Sequence, residues 1–247
     1  MKLIKWVKAN LIRIKIHLYI GFAADTLIYI GYLLKLSRWI DRNKFQLLTN
    51  DFYNANVKHA DRMKLYEFVS KKYELKEKQI SYLEFGVGFG HSLRWWSEQN
   101  ASSNTKFWAF DTFEGLPEKY GHLEIGHFSL GGNFPNIDDS RISFEKGLFQ
   151  DTLLQSVHKI DFSGQTVIHL DADLYTSTLF AFAILYPYLK KGDIIIFDEF
   201  VVPREEYRAF EDITKSFYIK LKPIGAINNY LQFAFEIEDI KNHQPKL

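Results

Sequence analysis

The sequence predicts an α/β domain on a mostly parallel sheet, closed by an antiparallel strand pair and preceded by a helical extension. Three observations predict it. Beyond about residue 60, short β-rich runs alternate with longer helical ones. The first run breaks into clustered glycines and then turns helical, in "YLEFGVGFGHSLRWW" (Tyr82 to Trp96). The last two runs are joined by "GAINN", which is too short to hold a crossover helix and therefore reverses the chain.

In chain order, Ile4, Val7, Leu11, Ile14 and Leu18 recur at the spacing of one helix face. Lys2, Lys5, Lys8, Arg13 and Lys15 all precede the first acidic residue, Asp25. Such a basic amphipathic helix suits packing on the main domain, contact with a second copy in a homo-oligomer, or peripheral contact with a membrane. The apolar segment Leu18 to Leu36 is interrupted by Asp25 and two glycines, which makes it a poor spanning helix. Arg13 and Lys15 likewise interrupt any signal-peptide core. Residues 1–60 are read as a helical extension and 61–247 as the main domain, in a cytoplasmic protein or one held on the cytoplasmic face of a membrane.

The stretch "DRMKLYEFVSKKYELKEKQ" reads as a helix with Leu65, Phe68 and Val69 on one side. Strand candidates follow in "SYLEFGV", "TKFWAFD", "RISFEKG", "TVIHLDAD", "GDIIIFDEF", "YIKLKPIG" and "NYLQFAFEI". The clearest later helix, "TSTLFAFAILYPYLKKG", carries Thr178, Phe182, Leu185 and Leu189 at helical spacing, with Pro187 predicting a kink or an early end. Residues Gly115 to Asp139 are turn-rich and without periodicity, as lids often are.

Composition narrows the chemistry. A net charge of +1 argues against a nucleic-acid binder. With no cysteine, disulfides, thiolate zinc sites and cysteine nucleophiles are excluded, so any metal must be held by oxygen or imidazole.

Gly86, Gly88 and Gly90 are spaced G-x-G-x-G. A dinucleotide fingerprint would place its third glycine where His91 stands, and the lysine of a phosphate loop is absent. Asp111 closes the next strand, 27 positions after Glu84, where a carboxylate can accept both hydroxyls of a ribose. Glu84, just before the glycines, can receive an ammonium. A ligand with a ribose and an amino acid but no phosphate fits this set, and S-adenosylmethionine is such a ligand.

At this point the sequence resembles a class I S-adenosylmethionine-dependent methyltransferase, and more narrowly the macrocin O-methyltransferase family, which modifies sugars on natural products. The segments "YLEFGVGFGHSL", "FDTFEGLPE", "GLFQDTL" and "HLDADLYTST…IIIFDEF" carry the resemblance, over roughly Asp61 to Ile237. It implies a Rossmann-like three-layer sandwich with a seven-stranded sheet whose last strand is reversed. It also implies cofactor contacts at Glu84, Gly86, Gly88, Gly90, Ser92 and Asp111, with adenine near Phe113 and the Gly147–Leu148 turn.

Asp171 and Asp173 stand two apart at one strand end, and Asp198 and Glu199 end the neighbouring strand. Four carboxylates so placed repel one another unless protonated or bridged by a cation, and all-oxygen ligation suits Mg²⁺; capping of the following helices is the structural alternative. The resemblance implies Asp171, Asp198 and Glu199 as metal ligands and Asp173 as the base. Where the family often has two aspartates, this chain has Asp198-Glu199, one methylene longer in reach. Of the histidines, His91, His122 and His127 lack a recognisable partner, and His169 reads as a hydrogen-bonded structural residue. The expected activity is O-methylation of a hydroxyl on a sugar or glycosylated small molecule. An NAD-type oxidoreductase or epimerase, and a membrane-surface protein with a vestigial nucleoside site, are the alternatives.

Overall fold

A computed structural model describes residues 1–241 of the chain. Strands β1 (Ile80–Phe85), β2 (Lys106–Asp111), β3 (Ile142–Lys146), β4 (Gln165–Leu170), β5 (Ile194–Phe197), β6 (Lys220–Ile227) and β7 (Gln232–Asp239) form one sheet in the order β3-β2-β1-β4-β5-β7-β6. The first five run parallel, and β7 lies antiparallel to both β5 and β6. The expected seven-stranded sheet with a reversed last strand is therefore observed.

Alternation along the strands builds two apolar layers, because successive side chains leave opposite faces. On one face Leu83, Phe85, Phe110, Leu170 and Phe197 meet α6 (Phe149–Ser156), α7 (Tyr175–Leu185) and α8 (Glu206–Ser216). On the other, Tyr82, Phe107, Val167 and Ile196 meet α4 (Arg62–Lys72) and α5 (His91–Gln99). The result is helix, sheet, helix. Helix α7 stops at Leu185 in a short 3₁₀ turn containing Pro187, the early end that the proline predicted.

Two boundaries differ from expectation. Gly225–Ile227 of the "GAINN" linker belong to β6, and the reversal falls on Asn228, Asn229 and Tyr230, which all take positive φ. Asp51 makes this affordable by accepting the amides of Asn228 and Asn229 at 3.0 Å each. On α4 the buried residues are Arg62, Leu65, Tyr66 and Val69, whereas Phe68 is only partly covered.

Ahead of the domain lie α1 (Lys2–Arg13), the short α2 (His17–Ile20) and the longer α3 (Ala24–Asn43). The last of these helices ends at Asn43, a 3₁₀ turn follows to Gln46, and another spans His59–Asp61, so residues 47–58 of the expected helical extension are not helical. Its first helices bury nothing, but Leu36 enters the core and Trp39 packs edge-on against Phe200, Phe210 and Phe233 at 5.2, 5.0 and 5.5 Å. Beyond α3 the chain runs beside β6. Leu48 donates to Ile224 O at 3.1 Å and Ala226 donates to Thr49 O at 3.0 Å, which covers an edge that would otherwise be open to pairing. Gly225 permits this approach, since a Cβ there would lie 2.8 Å from Thr49 Cγ2.

Replacing the partly buried Trp39 with alanine should lower unfolding free energy by about 2–4 kcal/mol, somewhat below the range for fully buried aromatics. A urea titration reads this. An unchanged midpoint would show that α3 is not anchored through Trp39.

Candidate active site

The carboxyl ends of the parallel strands open into a cavity of about 650 Å³. Gly86, Gly88, Asp111, Leu148, Asp171, Asp173, Asp198 and Glu199 all line it, so residues spread over more than a hundred positions converge on one space. This is where open α/β sheets bind ligands, because the loops there leave the backbone edges uncovered.

The glycines divide into different tasks. A Cβ on Gly86 would lie 1.8 Å from the carbonyl oxygen of Asp171, so this residue lets the β1 and β4 ends cross. A Cβ on Gly90 would meet Pro135 at 2.9 Å, placing that glycine against the lid segment rather than in the cavity. Of these three, Gly88 alone combines positive φ with open space, having nothing within 4 Å of its would-be Cβ. Close approach of a ligand to the backbone is therefore a matter for Gly88.

Asp111 organises the turn. Its Oδ2 accepts the amides of Val87 and Gly88 at 2.8 Å each, and Oδ1 accepts that of Phe113 at 2.7 Å. A carboxylate offers about four acceptor directions. Three are taken by backbone and Thr112 Oγ1 stands 3.5 Å from Oδ1, so the carboxylate has at most one direction left for a ligand hydroxyl rather than the expected pair.

Three further expected contacts are placed away from the cavity wall. Glu84 is buried on the α4–α5 face of β1, where Tyr82 Oη donates to its Oε2 at 2.6 Å, and it is not part of the cavity wall. Ser92 is buried with its Oγ 3.2 Å from Tyr66 Oη. Phe113 is buried against Phe134 and Phe144 as part of the lid's own packing. Of the lid aromatics, Phe128 reaches the cavity and Tyr120 donates a hydrogen bond to Glu199 Oε2.

The acid cluster contains a cation that sequence reasoning missed. Arg62 Nη1 lies 3.3 Å from Asp198 Oδ2 and 3.5 Å from Asp171 Oδ2, with Arg62 itself buried. Its signal was present: Arg62, Leu65, Tyr66 and Val69 follow helical spacing, which puts an arginine on the apolar face. His59 Nε2 stands 3.6 Å from Asp198 Oδ2. Tyr66 Oη donates to Asp198 Oδ1 and Gln232 Nε2 to Asp198 Oδ2, both at 3.3 Å.

These neighbours push the carboxyls apart in acidity. Burial acts against the charge of Asp198, but hydrogen bonds from His169 and His59 and the charge of Arg62 outweigh it and hold the group well below the usual range. Asp171 is pushed well up by burial and by the charge of Asp198. Asp173, at positive φ, is raised to about 7 by burial and by Glu199 and Asp198. His169 is pulled down by burial, yet hydrogen bonds to Asp198 and Glu84 prevail and raise it to about 10. Its ring touches Tyr82 Oη at 3.1 Å and Tyr66 Oη at 3.3 Å, the buried structural setting expected of it.

Residues 82–233 match the sequence pattern of the family described as macrocin O-methyltransferase (TylF). The chain belongs to that family. A curated relative, the demethyldecarbamoylnovobiocin O-methyltransferase of Streptomyces niveus, is 29% identical over 130 residues. That match covers 43% of this chain and 48% of the relative, about half the length of each. Among solved structures, the calicheamicin methyltransferase CalS11 superposes with a TM-score of 0.58 at 17% identity, over 85% of this chain and 93% of its own. The O-methyltransferase NovP gives 0.56 at 17% identity, over 85% and 100%. At such identity these likenesses establish the fold, a class I methyltransferase sandwich.

The division of labour among the glycines is open to a direct check. Gly88→Ala should cost about 1–2 kcal/mol of folding free energy, the price of a left-handed alanine. Gly86→Ala should cost clearly more, because its methyl group has no place beside Asp171 O. Equal denaturation midpoints for the two variants would refute the assignment.

Proposed function

We propose that the chain is an S-adenosylmethionine-dependent O-methyltransferase acting on a hydroxyl of a sugar or glycosylated small molecule, with Mg²⁺ assisting. One observation carries this reading: in a member of the macrocin O-methyltransferase family, Gly88, Asp111 and four carboxylates line a single cavity at the carboxyl edge of the sheet. The acceptor class is supported by relatives. CalS11 is described as a TDP-rhamnose 3'-O-methyltransferase, and the Streptomyces niveus enzyme bears on novobiocin. An O-methyltransferase of Bacillus cereus, similar in fold with a TM-score of 0.50, was solved with S-adenosylhomocysteine.

On this reading Gly88 and Asp111 hold the cofactor, whose contribution when bound is an electrophilic methyl group. Leu148 supplies apolar wall. Asp173, in the cavity and beside Glu199, takes the proton of the acceptor hydroxyl. The lid segment narrows the opening through Leu116, Pro117 and Phe128, positioning the acceptor and limiting water.

The donor set suits the metal. Asp171, Asp198 and Glu199 all line the cavity, but the ligand atoms that lie within 4.8 Å of one another are those of His169, Asp171 and Asp198, and Arg62 marks the point between the two aspartates where positive charge is called for. A bound Mg²⁺ would lower the pKa of a hydroxyl held against it. Arg62 competes for the same carboxylates, so it must yield part of its contact. The cytoplasmic setting and homo-oligomer expected from the sequence remain parts of this proposal carried by the sequence alone. A nicotinamide reading finds no support, since the glycine spacing and the reversed β7 both depart from a dinucleotide fold.

Calorimetric titration with S-adenosylhomocysteine should show binding that Asp111→Ala weakens by about 10–100-fold, the loss of a hydrogen bond to a charged acceptor together with its turn. No binding by the wild type would overturn the methyltransferase reading.

For the chemistry, Asp173→Asn should lower kcat by about 10²–10⁴-fold with a sugar acceptor. Wild-type kcat should rise with pH through about 7, because the base acts only when deprotonated. Chelation by EDTA should suppress turnover and Mg²⁺ restore it. Full turnover after chelation would leave Arg62 and His169 as the counter-charges and remove the metal.

A further inference from the structure

Residues 1–34 carry a large surface that the catalytic reading does not use. Eighteen of the thirty exposed large apolar side chains among the described residues fall in this stretch. On α1, Ile4, Val7 and Leu11 share one face, which Ile14 and Leu18 continue beyond the helix, and all five are exposed. Lys2, Lys5, Lys8 and Arg13 lie off that face of the helix, interleaved with exposed Leu3, Trp6 and Ile12; Lys15 follows, and no acidic residue appears before Asp25. Trp6, Tyr19 and Tyr29 stand exposed among them. Neither α1 nor α2 buries a single residue.

We propose that residues 1–34 form a docking surface for an anionic lipid bilayer. The apolar face requires a cover, and the charge says which. An uncompensated run of five cations is attracted to acidic headgroups, whereas a second copy of the same run is repelled. Exposed tryptophan and tyrosine suit the headgroup level, where one end of the ring is apolar and the other wet.

The attachment of α3 to the domain favours a helix lying on the surface over one that spans. The stretch His17–Gln46 is long and apolar enough to cross a membrane by length and composition. The second half of α3 is nevertheless packed on the catalytic domain, and one surface ion pair ties its first turn. Asp25 pairs with Arg204 at 3.2 Å, Lys35 with Glu211 at 2.7 Å, and Trp39 sits in the aromatic core. A helix so held is better suited to lie on the domain than to cross a bilayer. The ties also set orientation. Arg204 belongs to the loop that leaves the end of β5, directly after Asp198 and Glu199. The surface therefore begins at the catalytic edge of the sheet. Resting on the methyltransferase reading, this makes a sugar carried on a lipid the acceptor class the surface serves.

The test is co-sedimentation of the full chain with vesicles of phosphatidylcholine alone and of equal parts phosphatidylcholine and phosphatidylglycerol. Binding should be at least about tenfold stronger on the anionic vesicles and should fall in high salt. Lys5→Glu with Lys8→Glu, and separately Ile4→Ser with Leu11→Ser, should each weaken it about tenfold or more. S-adenosylhomocysteine binding, unchanged in both, would show that the catalytic domain remains folded. Equal binding to neutral vesicles would overturn the proposal, as would binding that resists salt and both pairs of substitutions. So would a dimer in analytical ultracentrifugation that the serine pair dissociates, with no vesicle binding by the wild type. Vesicle binding by a chain that does not bind S-adenosylhomocysteine would keep the surface and discard the enzyme.

Discussion

The buried charge of Asp198 is the constraint on which most of this structure turns. A carboxylate removed from water must be paired or give up its charge, and pairing here draws on every nearby element. Arg62 and Tyr66 come from α4, His169 from β4 and Gln232 from β7. His169 in turn lies between Tyr82 and Glu84 of β1. One acid thereby fixes how the helix layer, the central strands and the reversed strand meet. No member can be exchanged alone, because each would leave another buried group without a partner.

The same network separates the acids by task. Asp198 holds its charge because several donors face it, while Asp171 beside it is pushed toward protonation by burial and by that charge. Asp173 and Glu199 stand farther from Arg62, at the open cavity. Asp198 and Asp171 thus share Arg62, Glu199 accepts from Tyr120, and Asp173 lines the cavity beside them. The glycine turn shows a comparable economy: Gly86 admits the Asp171 backbone, Gly88 leaves space, and Asp111 holds the turn by its amides.

The N-terminal region follows another logic. From Leu36 onward it contributes to the domain, filling the core with Trp39 and covering the β6 edge with residues 48–49. Before that point its apolar side chains face outward. Tethers at Asp25 and Lys35 join the two regimes, so whatever the first helices contact is brought to the catalytic edge.

Much of the fold was legible because periodicity is local. The alternation of strand and helix, the early end of α7 at Pro187 and the amphipathic start all lie within short windows of chain. So did the convergence of Gly88, Asp111 and the strand-end acids, since parallel strands carry their carboxyl ends to one edge. What the windows could not contain was direction and partnership. Glu84 and Ser92 lie in the right segments, but their side chains point into the packed layer. Arg62 and Gln232 reach Asp198 across 136 and 34 positions, and no spacing rule spans such distances. The sequence by itself determined the fold class, the family and the edge at which chemistry occurs, because these follow from local pattern. Only the tertiary structure decided which groups partner each acid, because a buried charge answers to whatever folding places beside it.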